Sequence, residues 1–411
     1  MKSKKPSIVS APNIIEADGE INLPLDEAAV LKTAMEELNS VVVGREDEVT
    51  ALCYCLATGH HLMLEGEPGV AKSMFAREAF KRIESDRVFA RQFMKGTQLD
   101  EIFGPMNSTR YREEAVWEYN ITGQLPDSEL AFLDEVYRAS DSALPAMLQI
   151  LNERTFNNGT VKVECPLHTA IGTTNFVTES EELRAFHDRW LIRMRVSPLD
   201  STPAKVKMLR MFIEPVESEV TPVPMDTIRT LSKSVPRVPI SEEVLELMVQ
   251  LADVYRKSLA NFPISERRLC QSLLLAQAET LFCGKVEVEA EHLRALKFSL
   301  TTSGNKTQTE AFDQAFAAVI GAFIQDAEER TTLKSVSGYC LKLVEAYDAG
   351  LSAASKKKLL DKCLQALEGL NNMTPEETPK TRAGMDQVAE IRRKLTEVGE
   401  TLRLDLGGIK S

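Results

Sequence analysis

Residues 61–65 (His-Leu-Met-Leu-Glu) form a short apolar run, and Gly66-Glu-Pro-Gly-Val-Ala-Lys72-Ser73 follows at once. A run of that length bounded by glycine predicts a buried strand, and the residues after it predict a helix. A glycine turn between strand and helix aims several backbone N–H groups at one point. The helix N-terminus adds partial positive charge there, so phosphate is the group such a turn suits. Gly66 and Gly69 allow backbone angles and a close approach that a Cβ hinders. Lys72 reaches phosphate oxygens, and the Ser73 hydroxyl is a natural ligand for Mg2+. The loop residues Gly66, Glu67, Pro68, Gly69, Val70, Ala71, Lys72 and Ser73, with Met74 behind them, form the expected nucleotide-binding set. The usual pattern, GxxxxGK[ST], has glycine where this chain has Ala71. Alanine is tolerated if that position already lies in the helix, so the expectation is a negative φ at Ala71.

A second constellation lies downstream. Leu130-Ala-Phe-Leu reads as a buried strand ending in Asp134-Glu135. After a phosphate loop, such a pair has two distinct roles: Asp134 holds Mg2+ through its water shell, and Glu135 takes a proton from attacking water. A third strand, His168–Thr174, ends at Asn175, whose amide can hold that water beside Glu135. With a further strand over Arg87–Met94 and a helix over Ser140–Asn152, strands alternate with helices. That alternation predicts a parallel α/β sheet with helices on both faces.

The pattern divides the chain into a polar arm (1–25), an α/β nucleotide-binding core (26–201), an α-helical lid (202–303) and a C-terminal α-helical domain (304–411). The last carries three apolar stripes: Phe312, Phe316, Val319 and Phe323; Leu359, Leu360, Cys363, Leu364 and Leu367; Ile391, Leu395, Val398 and Leu402. A net charge of -12 disfavours general nucleic-acid binding. Seven scattered cysteines without CxxC or zinc spacing fit a reducing cytoplasm. No segment reaches the ~18 apolar residues of a membrane span, and no signal peptide is expected.

In this order the motifs resemble the AAA+ ATPases: Gly66–Ser73 is similar to Walker A, Leu130–Glu135 to Walker B, and Asn175 to sensor 1. Alanine before Lys72, with Glu101–Pro105, Gly123–Pro126, Phe132–Val136 and Leu151–Phe156, resembles the MoxR group. Asp188–Arg193 and Ser265-Glu-Arg-Arg268 resemble its RavA branch. The resemblance covers about residues 28–300. It implies a P-loop AAA+ core with a lid, ATP and Mg2+ as cofactors, and a homo-oligomeric ring, usually a hexamer. It implies Val43, Gly44 and Arg45 near the adenine and Arg189 as an arginine finger acting on the neighbouring subunit, with Arg184 and Arg193 as rivals. Arg267 is implied as sensor 2 acting on the same subunit, with Arg268 as its rival. Met106–Pro126 is implied to be a β-hairpin insert, in which Trp117 and Tyr119 either touch a client or pack the hairpin. Family members often work with a von Willebrand A protein. The metal-dependent DxSxS motif of that domain is absent here, so such a partner is expected as a separate protein.

The expected activity is therefore Mg-dependent ATP hydrolysis coupled to remodelling or activation of a client protein. Two other classes stay open: a nucleic-acid-dependent motor and a slow nucleotide-gated scaffold. Among weaker signals, His60-His61 suits a helix C-terminus better than a metal. Glu153 and Arg154 suit a helix end or a subunit interface.

Overall fold

The computed structural model describes residues 23–140, 142–175, 189–214, 220, 222–259, 264–324, 353–371 and 382–407. The chain divides into two compact units, Met1–Ala315 and Phe316–Ser411.

The first unit is built on parallel strands. In chain order the strands are β1 (Leu62–Glu65), β2 (Ile83–Glu84), β3 (Val88–Gln92), β4 (Leu130–Asp134), β5 (Thr155–Asn158), β6 (Val161–Glu164), β7 (Thr169–Thr174), β8 (Ile192–Arg195), β9 (Val223–Pro224) and β10 (Thr302–Ser303). Six of them form one all-parallel sheet in the order β10-β8-β1-β7-β4-β3. β1, β3, β4 and β7 are the strands that the apolar runs predict. β8 (Ile-Arg-Met-Arg) and the two-residue β10 are not predicted, because one alternates with arginine and the other lies in a polar run.

Helices α1 (Leu25–Glu36), α2 (Glu46–Thr58), α3 (Lys72–Phe80), α4 (Asp100–Phe103), α5 (Ser108–Glu114) and α6 (Ala143–Glu153) accompany the sheet. On one face Leu144, Met147, Ile150 and Leu151 of α6 pack with Met63, Ala131, Leu133, Ala170 and the fully buried Trp190. Gly172 makes room for Trp190: a Cβ there would lie 2.6 Å from the indole Cη2. His61 is locked into the same region. Its ring bonds the Leu151 carbonyl at 2.8 Å and the Ala170 N–H at 2.9 Å. His61 therefore joins α6 to β7, while His60 meets Thr58 at the end of α2, which Gly59, left-handed at φ 68°, terminates. Arg154 is also internal. It caps the C-terminus of α6, as the helix-end reading expects, and donates to the carbonyls of Leu151, Gly59 (2.7 Å) and His168 (3.2 Å).

The segment Met106–Pro126 is not a β-hairpin. It holds α5, capped by the Asn107 side chain, and one isolated bridge joins Met106 to Tyr119. The hairpin is β5–β6, turned at Gly159-Thr160, with Asn158 paired to Val161 and Gly159 at φ 63°. Glycine at the first position of a two-residue hairpin loop takes the positive φ that such turns need. The Asn158 side chain takes the Tyr119 N–H at 2.6 Å and returns a bond to the Tyr119 carbonyl at 2.9 Å. Tyr119 packs against the stacked pair Phe103 and Phe156, whereas Trp117 is 54% exposed.

The helices Met225–Ser234, Glu242–Ser258 and Glu266–Phe282 belong to the same unit as the sheet. Tyr54 of α2 donates to Glu279 at 2.8 Å and packs against Phe282 and Phe298. The division falls at 315/316 and not at 304, because Lys306–Ala315 packs within the first unit. Phe312 meets the Tyr255 ring edge-on at 5.7 Å, and Lys297 pairs with Asp313 at 3.0 Å.

In the second unit, Leu359 and Cys363 of the helix Ala353–Asn371 pack against Ile391, Leu395 and Leu402 of the helix Arg382–Gly407. The expected stripe from Phe312 to Phe323 does not run straight. A π-helical turn at Ala317–Gly321 shifts its phase, and Ile320 is the buried residue instead of Val319. No described helix is long and apolar enough to cross a membrane.

Gly172→Ala drives a methyl into Trp190. It should lower stability by about 1–3 kcal/mol, read by chemical denaturation followed on tryptophan emission; an unchanged midpoint would contradict this packing.

Candidate active site

β7 lies between β1 and β4, with Glu65 opposite Thr174 and Leu133 opposite Gly172. The three carboxyl ends therefore finish level. Gly66, Asp134, Glu135 and Asn175 stand along one edge, where open α/β sheets bind ligands.

The loop after β1 is held from several sides. Gly66 N–H donates to the Thr174 carbonyl at 3.1 Å. A Cβ on Gly66 would lie 2.3 Å from the Val196 carbonyl oxygen, so only glycine fits. The buried Arg45 donates to the carbonyls of Val70 (3.2 Å) and Ser197 (2.9 Å), tying the loop to the strand-exit segment after β8.

Ala71 contradicts the expected negative φ. It is left-handed, with φ 68° and ψ 18°, and it precedes α3 instead of lying in its first turn. The loop needs a positive φ at the position where the usual pattern has glycine. An L-residue there costs roughly 1–2 kcal/mol, which the surrounding anchors offset.

Lys72 opens α3 and is buried. Its ammonium donates to the carbonyls of Gly66 (2.5 Å) and Glu67 (2.9 Å) and to Asn175 Oδ1 (3.0 Å). Burial holds its pKa below the ordinary lysine value, while the charges of Glu135 and Asp134 pull the other way. Ser73 Oγ donates to Asp134 Oδ2 at 3.2 Å. Two hard oxygen donors at the loop–helix junction are a set that Mg2+ accepts.

Glu135 is also left-handed, at φ 56°. Its N–H donates to Thr173 Oγ1 at 3.1 Å. The Asn175 amide donates to Glu135 Oε1, and Arg138 Nε lies 3.4 Å from Oε2. Backbone strain of this kind concentrates at functional sites.

Beside the loop opens a cleft of about 790 Å3. Val43, Glu67, Pro68, Gly69, Val70, Ala71 and Met74 line it, as do Pro198, Leu199, Met208, Leu209 and Phe212. Its mainly apolar wall suits a planar base. Gly44 is not in the wall. With φ 65°, and with a Cβ placed 2.6 Å from Leu199, it shapes the turn behind it. The helix Thr202–Ile213, which supplies part of the wall, buries none of its own residues, and Phe212 is 85% exposed. The sequence pattern predicts a helix at about 203–212, and the resemblance puts Arg45 near the base, but neither the wall role of the helix nor the grip of Arg45 on the loop is legible, since both act across some 25 to 150 residues of chain.

The candidate arginines separate clearly. β8 runs parallel to β1 with Ile192 beside Leu62, so Arg189 stands before the strands begin. At ~3.3 Å per residue, the four residues of β1 hold it more than ~13 Å from the phosphate loop of its own chain. Its Nε has no hydrogen-bond partner among the described residues. Arg193 sits half-buried on β8 beside Glu65, whose carboxyl is pushed up by burial against the charges of Arg193 and Arg195. Arg184 lies outside the described residues.

Arg268 is buried and donates to the carbonyls of Trp190, Leu191 and Ser299, which is a structural task. Arg267 is exposed and reaches Asn152 Oδ1 at 3.4 Å. It also neighbours His60, which burial and the charges of Arg154, His168 and Arg267 push down to about 4. The expectation that Arg267 projects onto its own chain's phosphate site therefore fails. It stands at the end of the sheet that Arg189 occupies.

Relaxing Ala71 to glycine removes the left-handed penalty but adds unfolded-chain entropy. Ala71→Gly should raise stability by up to about 1 kcal/mol, and Ala71→Val should lower it. Thermal unfolding of both variants checks this, and a loss of stability with glycine would contradict the geometry.

A family profile described as the MoxR domain in the MoxR-vWA-beta-propeller ternary systems matches residues 29–217. An uncharacterised protein of Methanocaldococcus jannaschii is 31% identical over 268 residues, which is 65% of this chain and 69% of that one. A MoxR chaperone of Mycobacterium tuberculosis is 26% identical over 197 residues, or 47% of this chain and 51% of that one. The crystal structure of a candidate ATPase from Cytophaga hutchinsonii superposes with a TM-score of 0.58 at 19% identity, covering 72% of this chain and 95% of that one. At that identity the likeness concerns the fold.

Proposed function

The chain belongs to the MoxR family of AAA+ ATPases, and from that premise we propose that it hydrolyses ATP with Mg2+ in a ring and couples turnover to remodelling of a client protein. The observation that carries this reading is the junction of three strand ends. Ser73 and Asp134 meet at 3.2 Å there, and Asn175 holds the Glu135 carboxylate beside the Lys72 ammonium.

Each residue has a task in that reaction. The loop N–H groups and Lys72 bind the β- and γ-phosphates, and Ser73 and Asp134 hold the metal. Mg2+, when bound, neutralises charge on the phosphate oxygens. Glu135 accepts the proton of the attacking water. Asn175 orients Glu135 and that water. The base lies in the cleft between Val43 and the helix Thr202–Ile213.

A guanidinium near the γ-phosphate completes the charge stabilisation. Arg189 is too far from its own loop, which supports its acting on the neighbouring subunit. Arg267, at the same end, acts with it in this reading. Hydrolysis then requires assembly, for which a hexamer is the proposed ring. Within the family, Asp188–Arg193 and Ser265–Arg268 favour the RavA branch. The matching profile is named for systems that contain vWA and β-propeller proteins, so a separate vWA protein is the proposed partner. The exposed Trp117, stacked edge-on with Tyr111 at 5.9 Å, is a candidate client contact.

Glu135→Gln and Arg189→Ala should each abolish multiple-turnover ATPase while leaving nucleotide binding intact. Mixed in one ring, they should recover activity, because about one site in four then pairs an intact Glu135 with an intact neighbouring Arg189. Turnover by Arg189→Ala alone at the wild-type rate would place the finger elsewhere.

A further inference from the structure

We propose that Thr173 is a positioning residue that sets the geometry of both acidic residues through one hydroxyl; this rests on reading Ser73 and Asp134 as metal-holding. Thr173 is fully buried on β7, next to the end of β4. Its Oγ1 accepts the Glu135 N–H at 3.1 Å and donates to Asp134 Oδ1. A hydroxyl has a single proton, and with Glu135 N–H already donating to it, that proton goes to Asp134. The carboxylate of Asp134 is thereby held at both oxygens. Oδ1 is occupied by Thr173, and Oδ2 turns to Ser73 at 3.2 Å, the side on which the metal is held.

The same hydroxyl fixes the backbone of Glu135. That residue stands left-handed at φ 56°, a conformation that L-residues rarely adopt without a partner to hold it. Residues two apart share one face of a strand, so Thr173 and Asn175 point the same way from β7. Thr173 holds the Glu135 backbone, and Asn175 holds its carboxylate. Gly172, between them and the core, faces Trp190 on the opposite side. Valine fills the same volume as threonine but neither donates nor accepts. It would free Asp134 to rotate away from Ser73 and leave the Glu135 N–H without its acceptor.

The test is metal binding, with Mn2+ as a spectroscopic stand-in for Mg2+. Mn2+ is titrated into the full chain saturated with a non-hydrolysable ATP analogue, and free metal is read by electron paramagnetic resonance. Thr173→Val should weaken Mn2+ binding by about 10–100-fold, the usual effect of removing a partner of a metal ligand. Thr173→Ser, which keeps the hydroxyl, should bind as wild type. Analogue affinity measured in EDTA should be equal in all three. Thr173→Cys, a poor donor of similar size, carries the valine expectation if valine does not fold. Wild-type Mn2+ affinity in the valine or cysteine variant would overturn the proposal, as would serine binding as weakly as valine. A wild-type protein that binds analogue and Mn2+ with the expected variant pattern, yet hydrolyses no ATP, would support this inference while removing the hydrolysis reading.

Discussion

The pairing of β7 between β1 and β4 is the constraint on which the rest of the molecule depends. It brings Glu65 level with Thr174 and Leu133 level with Gly172. The phosphate loop, the acidic pair and Asn175 then emerge together. A slip of one residue would turn every side chain of β7 to the other face. Thr173 would lose Asp134, and the space at Gly172 would no longer meet Trp190. The register is secured on that side by the indole, on the other by the buried hydroxyl.

Around this edge the backbone departs from ordinary geometry twice, at Ala71 and at Glu135. Both departures are held by hydrogen bonds from distant parts of the chain. Arg45 grips the carbonyl before Ala71, and Thr173 grips the amide of Glu135. Strain persists only where its surroundings over-determine it, and these two anchors supply that condition. Burial of Lys72 lowers its hold on the proton, and the charges of Glu135 and Asp134 oppose that shift.

At the opposite end of the sheet the arginines sort by burial. Arg268 is consumed by three carbonyls that join the lid helix Glu266–Phe282 to β8 and the Lys297–Leu300 turn. That fixed joint leaves its neighbour Arg267 exposed, and it holds Trp190 beside Arg189. The exposed Arg267 and the half-buried Arg189 thus flank a rigid buried arginine at the end of the sheet away from residues 66–73.

Local patterns were enough for much of this protein. The apolar runs at 61–65 and 130–133, the glycine spacing and the terminal carboxylates announced a parallel α/β sheet and the order of its strand-end residues, because strand burial and turn chemistry act within a few residues. The φ of Ala71, the left-handed turn at Glu135, the placing of the hairpin at β5–β6 instead of Met106–Pro126, and the packing of Lys306–Ala315 within the first unit were decided by tertiary structure. So were the separation of Arg267 from its own loop and the double use of the Thr173 hydroxyl. Each depends on groups brought together across the sheet, where contact follows register and burial and not distance along the chain.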